Sequence, residues 1–299
     1  LISNYCNIFK QIIFLKTGFN AVTFTKWNPK NLTLMNNTFS IRAAFGVVVA
    51  SILSAFIAGG MVLAIGLSNP DSPQKFYTFI SFIVGQGFML VPLLWFLNSR
   101  REPILQRLRL KPISSQTGSM VALFSIGLIV LSDELDRIVK LVVPAPEYIV
   151  DMNGLLQPES FLGYILLFVA VAVIAPLGEE LLFRGFLQQF LEKHWKDTTR
   201  AVLVTSLFFA LIHLNPYWAI QIYILGVVLG YLAWRTNSVY PAFIFHGILN
   251  AIALLLGINP ENSSSFYLWN GHVALWILFP ALILVYLGFK GINRKRIQT

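Results

Sequence analysis

Eight apolar runs joined mostly by short connections divide this chain: 41–67, 76–97, 117–143, 161–188, 200–214, 217–235, 239–257 and 272–289. A helix needs about 20 mostly apolar residues to cross a bilayer. Backbone polar groups inside the bilayer must be satisfied within the structure itself, so runs of this length are helical. The run 200–214 is short. The run 117–143 crosses only if Asp133, Glu134 and Asp136 lie at the outer interface, where they read as a solvated helix end. The fold class expected is all-α: a polytopic membrane helix bundle of about eight transmembrane helices, with a kink expected at Pro92.

Composition agrees. The 299 residues are 56% hydrophobic and 12% charged, against about 25% charge in a soluble domain. The net charge of +9 does not signal nucleic acid, because the basic residues sit at the ends of apolar runs and form no stripe. The partner those ends imply is the lipid bilayer. Placing the N-terminus inside puts 18 of the 22 Lys and Arg on the cytoplasmic side, as the positive-inside rule requires, so both termini read as cytoplasmic. Cys6 is the only cysteine, which excludes an internal disulfide.

The chain divides into a polar basic tail (1–40), N-terminal spans with an outer loop (41–159), a core (160–257), and a last span with a basic tail (258–299). Met35 precedes the first span, and a start there would leave most of the tail untranslated.

The apolar residues from 161 to 175 lead into Pro176-Leu-Gly-Glu-Glu-Leu-Leu-Phe-Arg-Gly-Phe186. Each ionisable group at membrane depth costs about 2.5–3.5 kcal/mol on insertion scales and by default marks function. Glu180 and Arg184 are four apart, acid before base, the order that pairs best on a helix. Glu179 lies about 100° round the helix and lacks that local partner. One glutamate is neutralised in place and the other is left for chemistry. The plainer reading is a structural ion pair with a spare acid.

Two later runs carry histidines. Phe209 and His213 share one helix face, and His246 and Asn250 share another. At about 1.5 Å per residue, Glu179, His213 and His246 lie about 21, 20 and 12 Å from the cytoplasmic boundary. A carboxylate in a low-dielectric site can take a proton from water near neutral pH. Histidine can share that proton, and histidine and asparagine can donate to the oxyanion formed when water attacks a carbonyl. The sum is amide hydrolysis by activated water. Glutamate and two histidines are also acceptable zinc ligands, so zinc stays open as a cofactor, although His-Glu-x-x-His is absent.

Glu179-Glu180-x-x-x-Arg184, Phe209-x-x-x-His213 and His246-x-x-x-Asn250, in this order on successive spans, resemble the CPBP (CAAX protease and bacteriocin-processing, or abortive-infection) family. The resemblance covers about residues 160–256. It implies a CAAX-prenyl-protease-like intramembrane endopeptidase, with Glu179 activating water and Glu180 and Arg184 supporting it. His213 would assist, and His246 and Asn250 would form the oxyanion hole. The family is often classed with metalloproteases, but these residue types fit a glutamate-dependent mechanism without metal at least as well. The implied substrate is a peptide or membrane-protein tail, not necessarily prenylated, and the implied location is a bacterial inner membrane. The alternatives are a non-enzymatic membrane protein (bacteriocin immunity factor or secretion partner) and a proton-coupled transporter. The intact polar set argues against the first, and the lack of paired broken helices against the second.

The remaining signals are structural. Gly226 and Gly230 predict a close helix contact within the bundle, which leaves the oligomeric state open. Gln221 predicts a hydrogen bond to a neighbouring helix. Trp195, Trp234, Trp269 and Trp276 read as interfacial anchors, and Arg294, Lys295 and Arg296 as a topology anchor.

Overall fold

The computed structural model describes residues 39–69, 71–144, 146, 157–258 and 264–294. The expectations for the tail 1–40, the outer loop and the final basic residues fall largely outside them. The described residues form a helical bundle with eight principal helices, one for each apolar run. These are α1 (Ile41–Leu67), α2 (Gln74–Ser99), α4 (Ser115–Val142), α5 (Phe161–Trp195), α6 (Thr198–Ile212), α7 (Ala219–Thr236), α8 (Tyr240–Ile258) and α10 (Leu275–Arg294). Six are long and apolar enough to cross a membrane, α6 is a shorter apolar helix, and α8 is apolar over its stretch Tyr240–Leu255. The chain is thus a multi-pass integral membrane protein. One-turn helices α3 (Ile104–Arg107) and α9 (Ser264–Tyr267) and a two-stranded hairpin, β1 (Leu268–Trp269) with β2 (His272–Val273), complete it.

Helix starts follow from short polar side chains. Ser40, Ser114, Ser160 and Asp197 each accept a hydrogen bond from a backbone N–H three residues on, satisfying one of the donors that a helix start leaves unpaired. Lys196 and Asn237 end their helices in the left-handed conformation, at φ 55° and 49°.

Helix α5 is the axis of the bundle. Every residue from Leu181 to Gln188 is buried, as expected for a helix surrounded by other helices instead of lipid. Leu182, Phe183, Phe186 and Leu187 pack in one core with Leu93 and Leu97 of α2, Phe209 of α6, Leu229 and Leu232 of α7 and Phe245 of α8. Apolar side chains cover the outside, among them Ile57, Met61, Trp95, Phe279 and Ile283.

The expected Gly226–Gly230 contact lies within the bundle. A Cβ on Gly226 would lie 2.9 Å from Ser206 Cβ, and one on Gly230 would lie 2.9 Å from Val202 Cγ1. The bare backbone also leaves two α7 carbonyls open to α5. Arg184 donates to Gly226 O at 3.3 Å and Gln188 to Gly230 O at 2.9 Å. Residues four apart on one helix therefore meet glycines four apart on the other.

One correction concerns the acids near the end of α4. They are not a solvated helix end, because each binds a partner. Asp133 accepts from Arg137 and from the Tyr267 hydroxyl, both at 3.0 Å. Glu134 accepts from Val273 N–H and pairs with His272 Nδ1, both at 2.7 Å. Asp136 accepts from Gln221 at 3.3 Å. Burial and the charge of Asp133 push the Tyr267 phenol up, so it stays a neutral donor. The acids fasten the hairpin and α7 to α4. His272 accordingly lies in the hairpin, and the last span begins at Leu275 instead of 272.

The opposite end holds the basic residues. Arg107 pairs with Glu102 and Arg109 with Glu192. Ser238 and Val239 donate to the carbonyls of Lys111 and Arg109. The connection after α2 is thereby locked onto the ends of α5 and α8.

Candidate active site

The site begins with a departure from regular helix. Proline at 176 has no N–H to donate, and α5 takes a π-helical register over Val169–Ile174 just before it. The N–H of Ala175 reaches back five residues to Ala170 O. In that register Val171 O would need the N–H of residue 176, which proline lacks. Asn250 Nδ2 donates to Val171 O at 2.9 Å instead. A second π-helical run covers Leu181–Gln188. The two acidic residues thus sit in the short regular stretch Ala175–Glu180 between two widened ones, and π-turns of this kind recur at functional sites.

Glu180 and Arg184 are fully buried, Glu179 is 8% exposed and His246 3%. Arg184 donates to Glu180 Oε1 at 3.2 Å, and its guanidinium carbon lies 4.0 Å from the Phe209 ring centroid. The same Glu180 oxygen pairs with His246 Nδ1 at 2.9 Å. A carboxylate oxygen can only accept here, so Nδ1 carries the hydrogen. His246 Nε2 then lies 3.9 Å from Glu179 Oε2, too far for a direct hydrogen bond. Glu179 Oε1 accepts from Gln86 on α2 at 3.3 Å, while its Oε2 has no hydrogen-bond partner.

Charge balance constrains this set. Two carboxylates and one guanidinium leave one negative charge in excess in a low-dielectric interior, where an uncompensated charge is costly.

The structure brings Glu180, Arg184 and His246 together as one hydrogen-bonded group, with Glu179 beside it and His246 Nε2 3.9 Å from its Oε2. His213 and Asn250 do not bond to the glutamates. His213 Nδ1 pairs with Phe209 O at 2.7 Å, and its ring packs against Phe209, whose centroid lies 4.8 Å from that of His213 and 5.8 Å from that of His246. Asn250 commits one amide hydrogen to Val171 and retains a second. The partner of His246 is Glu180, where the sequence pairs His246 with Asn250. Sequence reasoning passed over Gln86, although a lone amide within the apolar run 76–97 was a visible signal. As for zinc, no three His, Cys, Asp or Glu side chains converge to hold a metal ion among the described residues. The shared Glu180 oxygen and His246 Nδ1 are already engaged with each other.

Residues 161–252 match the family described as type II CAAX prenyl endopeptidase Rce1-like. The chain is also similar to UPF0177 protein YbdI of Lactococcus lactis subsp. lactis (strain IL1403), with 30% identity over 118 residues. That alignment covers 39% of this chain, which spans 63% of the length of that relative. No solved structure matches.

Proposed function

We propose that the chain is an intramembrane endopeptidase of the CPBP kind using water activated by Glu179, a reading supported by the match of residues 161–252 to the type II CAAX prenyl endopeptidase Rce1-like family. The observation that carries the reading is the Glu180–His246 hydrogen bond. It fixes the imidazole so that Nε2 faces the free oxygen of Glu179, 3.9 Å away, and a water beside that gap can touch both.

In the proposed reaction Glu179 takes a proton from this water as its oxygen attacks the substrate carbonyl carbon. The carbonyl π-electrons move to the oxygen, and His246 Nε2–H and the second amide hydrogen of Asn250 donate to the resulting oxyanion. Collapse of the tetrahedral intermediate breaks the C–N bond, and the proton on Glu179 passes to the leaving amine. The carboxylates of Glu179 and Glu180 balance the charges of Arg184 and of the imidazolium form of His246. His213, with Nδ1 turned to the backbone, presents Nε2 as a second acceptor near the water. No step is assigned to a metal.

The substrate class proposed is a peptide or a membrane-protein tail reached from the cytoplasmic side. The basic end formed by 100–111 and 193–200 supports that orientation, in a bacterial inner membrane with both termini cytoplasmic. The decisive assay uses purified protein in detergent with peptides of varied C-termini, comparing wild type with Glu179→Gln, each with and without chelator. Cleavage lost in the variant and indifferent to chelator is the expected result. Cleavage retained by Glu179→Gln overturns the mechanism. Absence of any cleavage by wild type favours the non-enzymatic immunity or partner role.

A further inference from the structure

The six side chains picked out in the sequence all lie within 161–252; Gln86, on α2, does not. Helix α2 runs close to α5 at Gly178, where a Cβ would lie 3.0 Å from Met89 Cε and 3.4 Å from both the backbone oxygen and the Oε1 of Gln86. This close approach lets a short amide reach Glu179 Oε1 at 3.3 Å. Chemistry fixes the direction of the amide, since an ionised carboxylate only accepts hydrogen bonds and must face the NH2 group. Gln86 Oε1 is buried without a hydrogen bond, so the bond to Glu179 is what rewards this orientation.

The consequence falls on Glu179. The last torsion of a glutamate side chain is broad and nearly two-fold, so a carboxylate tethered nowhere offers either oxygen to its surroundings. With Oε1 held by Gln86, Oε2 is the oxygen left facing His246 Nε2. We propose that Gln86 is a positioning residue that holds Glu179 with Oε2 toward the reacting water. The proposal rests on the protease reading above. It extends the working site beyond the family-matched segment to α2, so that the N-terminal helices are part of the active machinery as well as its scaffold.

The test uses the full chain in detergent as wild type, Gln86→Leu, Gln86→Glu and Glu179→Gln, with two measurements. The first is steady-state peptide cleavage against pH. A hydrogen bond to a charged group predicts a kcat loss in Gln86→Leu of about tenfold to a hundredfold. KM should stay within about twofold, because substrate binding is not the interaction removed. The acid limb of the pH–rate profile should move to higher pH, and further in Gln86→Glu, which sets a second carboxylate beside the first. The second measurement is the carboxyl region of the infrared spectrum, with the Glu179 band identified by its loss in Glu179→Gln. That band should shift in Gln86→Leu whether or not the preparation cleaves any peptide. An unchanged band and unchanged acid limb in Gln86→Leu overturn the proposal, as does a uniform loss of stability with an unaltered pH profile. Full activity of Glu179→Gln would instead overturn the protease mechanism and leave the infrared result to decide the contact.

Discussion

His246 and Glu180 lie 66 positions apart in the sequence, on different helices, and meet through a 2.9 Å hydrogen bond in the buried centre of the bundle. Arg184 binds the same Glu180 oxygen. Glu180 therefore links the i,i+4 pair visible in the sequence to a histidine whose position only the fold could supply.

That shared oxygen makes Arg184 more than a local counter-ion. Arg184→Ala leaves Glu180 buried with its guanidinium partner gone, and breaking such a pair costs about 3–5 kcal/mol. A lower unfolding midpoint in detergent is expected together with loss of cleavage. Arg184→Lys should recover only part of either, because an ammonium cannot both bond Glu180 and lie flat on Phe209. Unchanged stability in Arg184→Ala would show that the pair carries no structural burden.

The Pro176–Asn250 relationship makes a second case. Asn250→Ala strands Val171 O, which should cost about 1–3 kcal/mol. Pro176→Ala restores an N–H at the position that the π register needs. The cost of Asn250→Ala should therefore shrink in the Pro176→Ala background. Additive losses in the double mutant, measured by thermal unfolding, would mean that the two residues do not compensate each other.

Gly226→Val and Gly230→Val should each destabilise the bundle by about 1–3 kcal/mol, the usual cost of overpacking. A Cβ at these positions collides with Ser206, or with Gln188 and Val202. The oligomeric state, read by light scattering, should not change, since both glycines face neighbours within the chain. Dissociation of a dimer on substitution would assign them to a subunit interface.

Orientation can be read directly because Cys6 is the only cysteine. In a Cys6→Ser background, Lys196→Cys and Asn270→Cys each place one thiol on an exposed turn, at opposite ends of the bundle. A membrane-impermeant maleimide applied outside intact cells should label position 270 and leave 196 unlabelled. The reverse pattern would invert the proposed topology and with it the side of substrate entry.

The sequence by itself determined the parts that follow from local chemistry. Apolar length located eight helices, with bounds off by at most seven residues, because a chain in lipid must satisfy its own backbone within each segment. The spacing of Glu180 and Arg184 fixed their pairing, since residues four apart on a helix are neighbours. Tertiary structure decided the rest. The acids 133, 134 and 136 looked solvated because their partners Tyr267, His272 and Gln221 are distant in sequence. Asn250 looked free because the orphaned carbonyl it serves arises from a π register at Val171 that no periodicity announces. Gln86 was visible as a polar residue in an apolar run, but a lone amide has no local partner to reveal its role. Only the close packing of α2 on Gly178 brings it to Glu179, and that depends on how the helices pack, not on the pattern within any one of them.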